Sequence, residues 1–243
     1  MTATALATPT RKTTLPSDPP EEIFYPDSDG QPMADNTRQF DYIVMIQGGL
    51  AAMFADRSDV FVAGDLLWYP VEGDNKTRAA PDAMVVFGRP PGYRGSYIQH
   101  REDGIAPQVV FEVLSPGNTP AEMRRKLAFY ERYGVEEYYE YDPDRGTLKG
   151  WLRRKEGLEP IMPMEGWLSP RLGIRFSLEG SDLMLYRPDG RRFETFVELD
   201  RRAQRSRTEG LQEGLQQGLQ QALDRLIASG MAEDQAKHLL GLG

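Results

Sequence analysis

The sequence predicts a mixed α/β protein, with a central sheet flanked by helices and followed by a C-terminal helical tail. Short β-like runs are punctuated by Gly, Pro and Asp, two amphipathic stretches of helical period lie among them, and the last 45 residues have a different repeat. With 243 residues, one domain plus tails is the simplest division, and the chain is long enough to bury a full core.

Residues 1–32 are rich in Pro, Thr, Asp and Ser with little periodicity, which reads as a disordered leader. The folded domain is expected over 33–198. It opens with a helix in "MADNTRQFDYIVMIQGGLAAMFAD", where Asp35 is a plausible N-cap and Phe40, Ile43, Val44, Leu50, Ala51 and Phe54 form an apolar stripe. Gln47 falls inside that stripe. Four runs then read as strands: "VFVAGDLLWYP" (60–70), "PDAMVVFG" (81–88), "QVVFEVLS" (108–115) and "EEYYEYDP" (136–143). A helix over 121–133 separates the last two, with Thr119 as its cap and Pro120 at its first position. Further strands are expected at "TLKGWLRR", "IMPMEGWLSP", "GIRFSLEG" and "LMLYRPDG", with "RFETF" closing the domain.

The tail, 199–243, carries Leu211, Leu215, Leu219 and Leu223 at a spacing of four. That spacing overshoots one turn by about 40° per step, so the leucine line winds around the helix and suits a short contact with a partner. Self-association into a homodimer through this helix, as a coiled coil, is the expectation.

Composition narrows the chemistry. There is no cysteine and there are two histidines, which disfavours thiolate and histidine metal centres and leaves oxygen as the donor type. No apolar run approaches the roughly 20 residues that span a bilayer, so no membrane partner and a cytoplasmic location are expected. A net charge of −8 disfavours indiscriminate nucleic-acid coating, while leaving room for a local basic face.

One residue is out of place: Glu112 sits in an apolar strand, on the same face as Val110 and Leu114. Burying a carboxylate there calls for a paired cation or a metal. Asp82 heads another strand, and if the two strands are antiparallel neighbours it can face Glu112. Two carboxylates at one sheet end suit Mg²⁺ or Mn²⁺, hard ions that retain activatable waters. A cation is also needed where charge develops on a phosphodiester. With Met123, Leu127 and Tyr130 as the buried stripe of the intervening helix, Lys126 lies about 60° off its centre and can reach the sheet end. Asp65, in "GDLLWYP", is either a third metal ligand or a turn residue after Gly64.

The segments "GDLLWYP", "PDAMVVFGRPPGYRGSY", "PQVVFEVLSPGNT", "KLAFYERYGVEEYYEYDPD" and "LKGWLRR" together resemble the PD-(D/E)XK nuclease superfamily, and within it the Uma-type restriction endonuclease family abundant in cyanobacteria. The resemblance covers roughly residues 35–195. It implies a restriction-endonuclease-like fold, Asp82 and Glu112 as metal ligands, and metal-dependent cleavage of DNA. Two positions depart from the superfamily pattern. Leu114 stands where a lysine is expected, which moves that role to Lys126, and the first helix offers neutral Gln47 where an acid is common. The competing class is a catalytically inactive nucleic-acid-binding or protein-interaction module of the same fold.

Overall fold

In the computed structural model, which describes residues 23–30 and 32–242, the central sheet has six strands: β1 (Val60–Ala63), β3 (Ala83–Phe87), β5 (Val109–Val113), β6 (Glu137–Asp142), β7 (Thr147–Arg154) and β8 (Gly157–Pro160). Their order is β1-β3-β5-β6-β7-β8. All neighbours are antiparallel except β5 and β6, which are parallel and joined by helix α2 (Pro120–Arg132). A parallel pair needs such a crossover because a tight turn cannot reverse the chain twice. The run 60–70 divides, with β1 in the main sheet and β2 (Trp68–Tyr69) pairing parallel to β4 (Tyr97–Ile98).

The sheet buries both faces. Helix α1 (Thr37–Met53) and the hairpin of β9 (Arg175–Glu179) and β10 (Asp182–Tyr186) cover one, packing Ile43, Ile46, Leu50, Phe111, Tyr139, Phe176 and Phe193 into a single cluster. Gly49 lets α1 approach the segment that follows β10, since a Cβ there would stand 2.3 Å from the Phe193 ring. Helix α2 covers the other face, with Tyr130 and Tyr138 packed beside Trp68, Met84 and Val110. This two-sided coverage explains why the central strands read as continuous apolar runs.

Several local expectations are corrected. The cap of α1 is Asn36, whose side chain accepts from Gln39 N at 2.9 Å, because the Asp35 carboxylate is already taken by the Ser115 hydroxyl. Phe40 is exposed, and the buried line runs through Gln39, Ile43, Ile46 and Leu50, with Met45 beside it. The run "IMPMEGWLSP" forms no strand: prolines interrupt it, and a proline has no N–H for a ladder. β8, in contrast, is a strand with no alternating pattern to announce it.

The leader reading falls mostly on residues 1–22 and Gln31, outside the described residues. Its end is packed. Tyr25 is buried edge-on to Tyr69, Tyr69 donates its hydroxyl to Pro26 O at 2.7 Å, and Gly73 N donates to Tyr25 at 2.9 Å. At the other end, α3 (Phe196–Ala228) starts at a Thr195/Glu198 capping box, and α4 (Glu233–Leu239) folds back on it over Leu223. Leu211 and Leu215 remain exposed. No helix among the described residues is long and apolar enough to cross a membrane.

Candidate active site

The register of β3 and β5 pairs Ala83 with Phe111 and Met84 with Val110. One step further along it, Asp82 falls opposite Glu112, on the face covered by α2. The contact is direct at the backbone: Val113 N donates to Asp82 Oδ2 at 2.6 Å. Glu112 is 3 % exposed and both its oxygens are engaged, Oε2 by Lys126 Nζ at 2.8 Å and Oε1 by the Tyr130 hydroxyl.

α2 supplies both partners because residues four apart share a helix face. Its entry is held by the reciprocal Thr119/Glu122 cap. Glu122 also accepts from Asn118 at 3.1 Å, so the carboxylate bound by Lys126 is Glu112 rather than its helical neighbour. Lys126 shows the balance of forces: burial alone lowers its pKa, but Glu112, with help from Asp82, outweighs this and pushes it up to about 12. The ammonium is charged at any working pH. Burial, reinforced by the charge of Glu112, also lifts the Tyr130 phenol well above its ordinary value, so it acts as a hydrogen-bond donor.

Asp65 follows β1 in the left-handed region, at φ 48°, with its N–H bonded to Pro81 O at 2.9 Å. Its side chain lines an open cleft of about 410 Å³ together with Asp29, Asp82, Glu122, Arg125 and Lys126. Clefts of about 530 and 560 Å³ lie elsewhere, and neither is lined by these acids. Gln47 is set apart: it packs against Gly64, where a Cβ would lie 3.0 Å from Gln47 Cγ and 3.1 Å from Asp82 O, and it does not line the cleft. The helix residue that does is Gln39, eight positions earlier and about 12 Å along the axis. Its amide donates to Val113 O at 2.7 Å and accepts from Asp35 N at 2.8 Å. Val113, the residue after Glu112, is thereby held on both sides of its Cα, its N–H by Asp82 and its carbonyl by Gln39.

Two residues that sequence reasoning missed carried detectable signals. Gln39 continues the Ile43, Ile46, Leu50 line backwards by four, and Tyr130 follows Lys126 by four. The arginines of the loop after β3, which could have served phosphates, are occupied: Glu102 binds Arg89 at 2.7 Å and Arg94 at 2.6 Å, and Arg94 also lies over the Phe61 ring.

Among the described residues, no three acidic or histidine side chains are grouped so that they could hold a metal ion. The candidate donors are the pair Asp82 and Glu112, with Asp65 lining the same cleft; each Glu112 oxygen, already accepting one hydrogen bond, has a second lone pair for an ion. A pair fits Mg²⁺, which binds through one or two carboxylates and keeps several waters. The electrostatics fit too: burial, and then the charge of Glu112, push the Asp82 carboxyl well above its usual range, while burial and the charges of Asp29 and Glu112 raise Asp65. A cation would relieve both. The sign follows for stability. Because the native state holds the Asp82 proton more tightly than the unfolded chain, this stabilisation is complete below the unfolded value of 3.8 and is lost as pH rises through the raised native value. Asp82→Asn, which can still accept from Val113 N, is expected to flatten that decline. Urea midpoints of both proteins between about pH 4 and pH 8, without divalent ions, check it. Parallel curves would remove Asp82 from this role.

Residues 44–181 match the family Uma2, described as "Putative restriction endonuclease". A solved structure, a "putative nuclease belonging to DUF820" from Anabaena variabilis ATCC 29413, is similar at 16 % identity, over 56 % of this chain and 72 % of that chain, with a TM-score of 0.42. No curated protein matches the chain.

Proposed function

Since the chain belongs to the Uma2 family, we propose that it is a metal-dependent endonuclease that hydrolyses phosphodiester bonds in DNA. The observation that carries this reading is the facing pair Asp82 and Glu112 with Lys126 bound to the second. In this proposal Asp82 and Glu112 hold Mg²⁺ or Mn²⁺, with Asp65 as the outer acid. The ion, when bound, supplies Lewis-acid polarisation of a phosphoryl oxygen and a more acidic water.

The chain's own groups do the rest. Lys126 presents a permanent positive charge at the cleft, where negative charge grows on the phosphoryl oxygens. Tyr130 holds one oxygen of Glu112 from the buried side, which sets the orientation of the carboxylate. Gln39, and not the Gln47 expected from the sequence to complete the pocket, is the glutamine of the first helix at the cleft, where it holds the Val113 carbonyl. A dimer would suit cleavage of both strands, and the exposed Leu211 and Leu215 of α3 support self-association through the tail.

Supercoiled plasmid is the test substrate. Nicking is expected with Mg²⁺ or Mn²⁺ and none with EDTA, accompanied by a rise in melting temperature as the ion is added, since a ligand that binds only the native state stabilises it. Absence of nicking in every divalent ion, with no thermal shift, would leave the inactive binding module as the correct reading.

A further inference from the structure

The first turns of α2 form a ridge between two clefts. One is the candidate active site. The other, of about 460 Å³, is lined by Met123, Arg124 and Leu127 of α2 and by Glu140, Lys149 and Trp151 of the sheet, and Asn118 lines both. The sheet register links their chemistry. Glu112 pairs with Glu140 across β5 and β6, and Glu140 with Lys149 across β6 and β7, so the acids lie in one cross-strand row about 5 Å apart. Glu140 is buried, and Lys149 Nζ donates to it at 2.6 Å. The carboxylate and ammonium pairing of the first cleft is repeated one strand over.

The two pairs differ in exposure. The Lys149 side chain is 58 % exposed against 28 % for Lys126. An ammonium has three N–H donors, so one spent on Glu140 leaves two facing the open cleft. Beside it stand Arg124 and Arg125, consecutive and exposed, one lining each cleft. Arg89, Arg94, Arg145 and Arg171 are all ion-paired, whereas Arg124 and Arg125 have no ion-pair partner among the described residues. Asp142 and Asp144 also line the second cleft, but Asp142 is paired with Arg145 and Asp144 with Arg38, so in a protein of net charge −8 the two arginines on the flanks of one ridge make a local track for a polyanion.

We propose that a DNA strand crosses the N-terminal end of α2, with the phosphate under attack in the first cleft and the adjoining backbone in the second. There Arg124 and Lys149 bind phosphate oxygens, Glu140 positions Lys149, and Met123, Leu127 and Trp151 pack against sugar and base. The inference rests on the nuclease reading for the identity of the strand, and it adds a binding subsite to it.

The test is fluorescence anisotropy of a labelled DNA duplex, in EDTA and across a salt series, with the full chain, Arg124→Ala, Lys149→Ala, Lys149→Arg and the remote Arg191→Ala, alongside plasmid nicking. Arg124→Ala and Lys149→Ala are expected to lose roughly fivefold in affinity and about one unit of salt slope each, with Lys149→Arg near wild type and Arg191→Ala unchanged. Melting temperatures confirm that all variants fold. If wild type nicks plasmid while both alanine variants keep its affinity and slope, the subsite is wrong and the nuclease reading stands. If wild type does not nick but the variants lose affinity and slope, the subsite stands as a DNA-binding surface without the nuclease. A wild type that does not bind the duplex overturns the subsite.

Discussion

Glu112→Gln is expected to reduce plasmid nicking by at least ~10²-fold while leaving the protein folded. The amide is the same size and still offers an oxygen to the Tyr130 hydroxyl, so packing on the α2 side is kept. What disappears is the negative charge needed to hold a divalent ion and to anchor Lys126. Because the lysine side chain is 28 % exposed, it can turn to water, and the cost in stability is about 1–2 kcal/mol. Nicking rates in Mg²⁺ and Mn²⁺, read beside the melting temperature, separate the two effects. A variant that nicks at the wild-type rate would remove Glu112 from the site.

The reverse change is expected to do more damage to the fold. Lys126→Met leaves Glu112, 3 % exposed, facing Asp82 with only the Tyr130 hydroxyl as partner. Removing one member of a buried ion pair costs about 3–5 kcal/mol, because the remaining charge has lost its compensation and cannot regain water. At roughly 2–4 °C per kcal/mol for a domain of this size, the melting temperature should fall by roughly 6–20 °C. Mn²⁺ should recover part of that fall, since an ion between Asp82 and Glu112 replaces the missing positive charge. The comparison is differential scanning calorimetry of both variants with and without the ion. A fall smaller than that of Glu112→Gln would contradict the pairing.

Much of the site was legible because local pattern reports local geometry. Glu112 stood out as a charge in a strand buried on both faces, and alternation along the strand assigned it to the same face as Val110. Lys126 was placed near the sheet end by helical period alone, and the structure brings it to 2.8 Å from Glu112. Thr119 as the cap of α2 followed from the residues at its entry, and the capping box is formed. The misses are of a different kind. Asp35 and Asn36 are equally good caps by composition, and the choice was made by Ser115, 80 positions away, which occupies Asp35. Gln39 and Gln47 are two glutamines of one helix, separated in role only by where the helix crosses the sheet.

The sequence by itself determined most of the elements, the alternation of side chains along each strand, and the presence of an acid that an apolar strand cannot hold alone. These depend on period and on burial cost, both properties of short segments. Only the tertiary structure decided the partners: that Asp82 lies in register with Glu112, that Lys126 bridges to the sheet and not along its own helix, and that the row of acids continues to Glu140 and ends on Lys149. The physical reason is register. A shift of one residue in pairing turns every side chain to the other face, and what sets the register is the packing of both faces together, which no single segment contains.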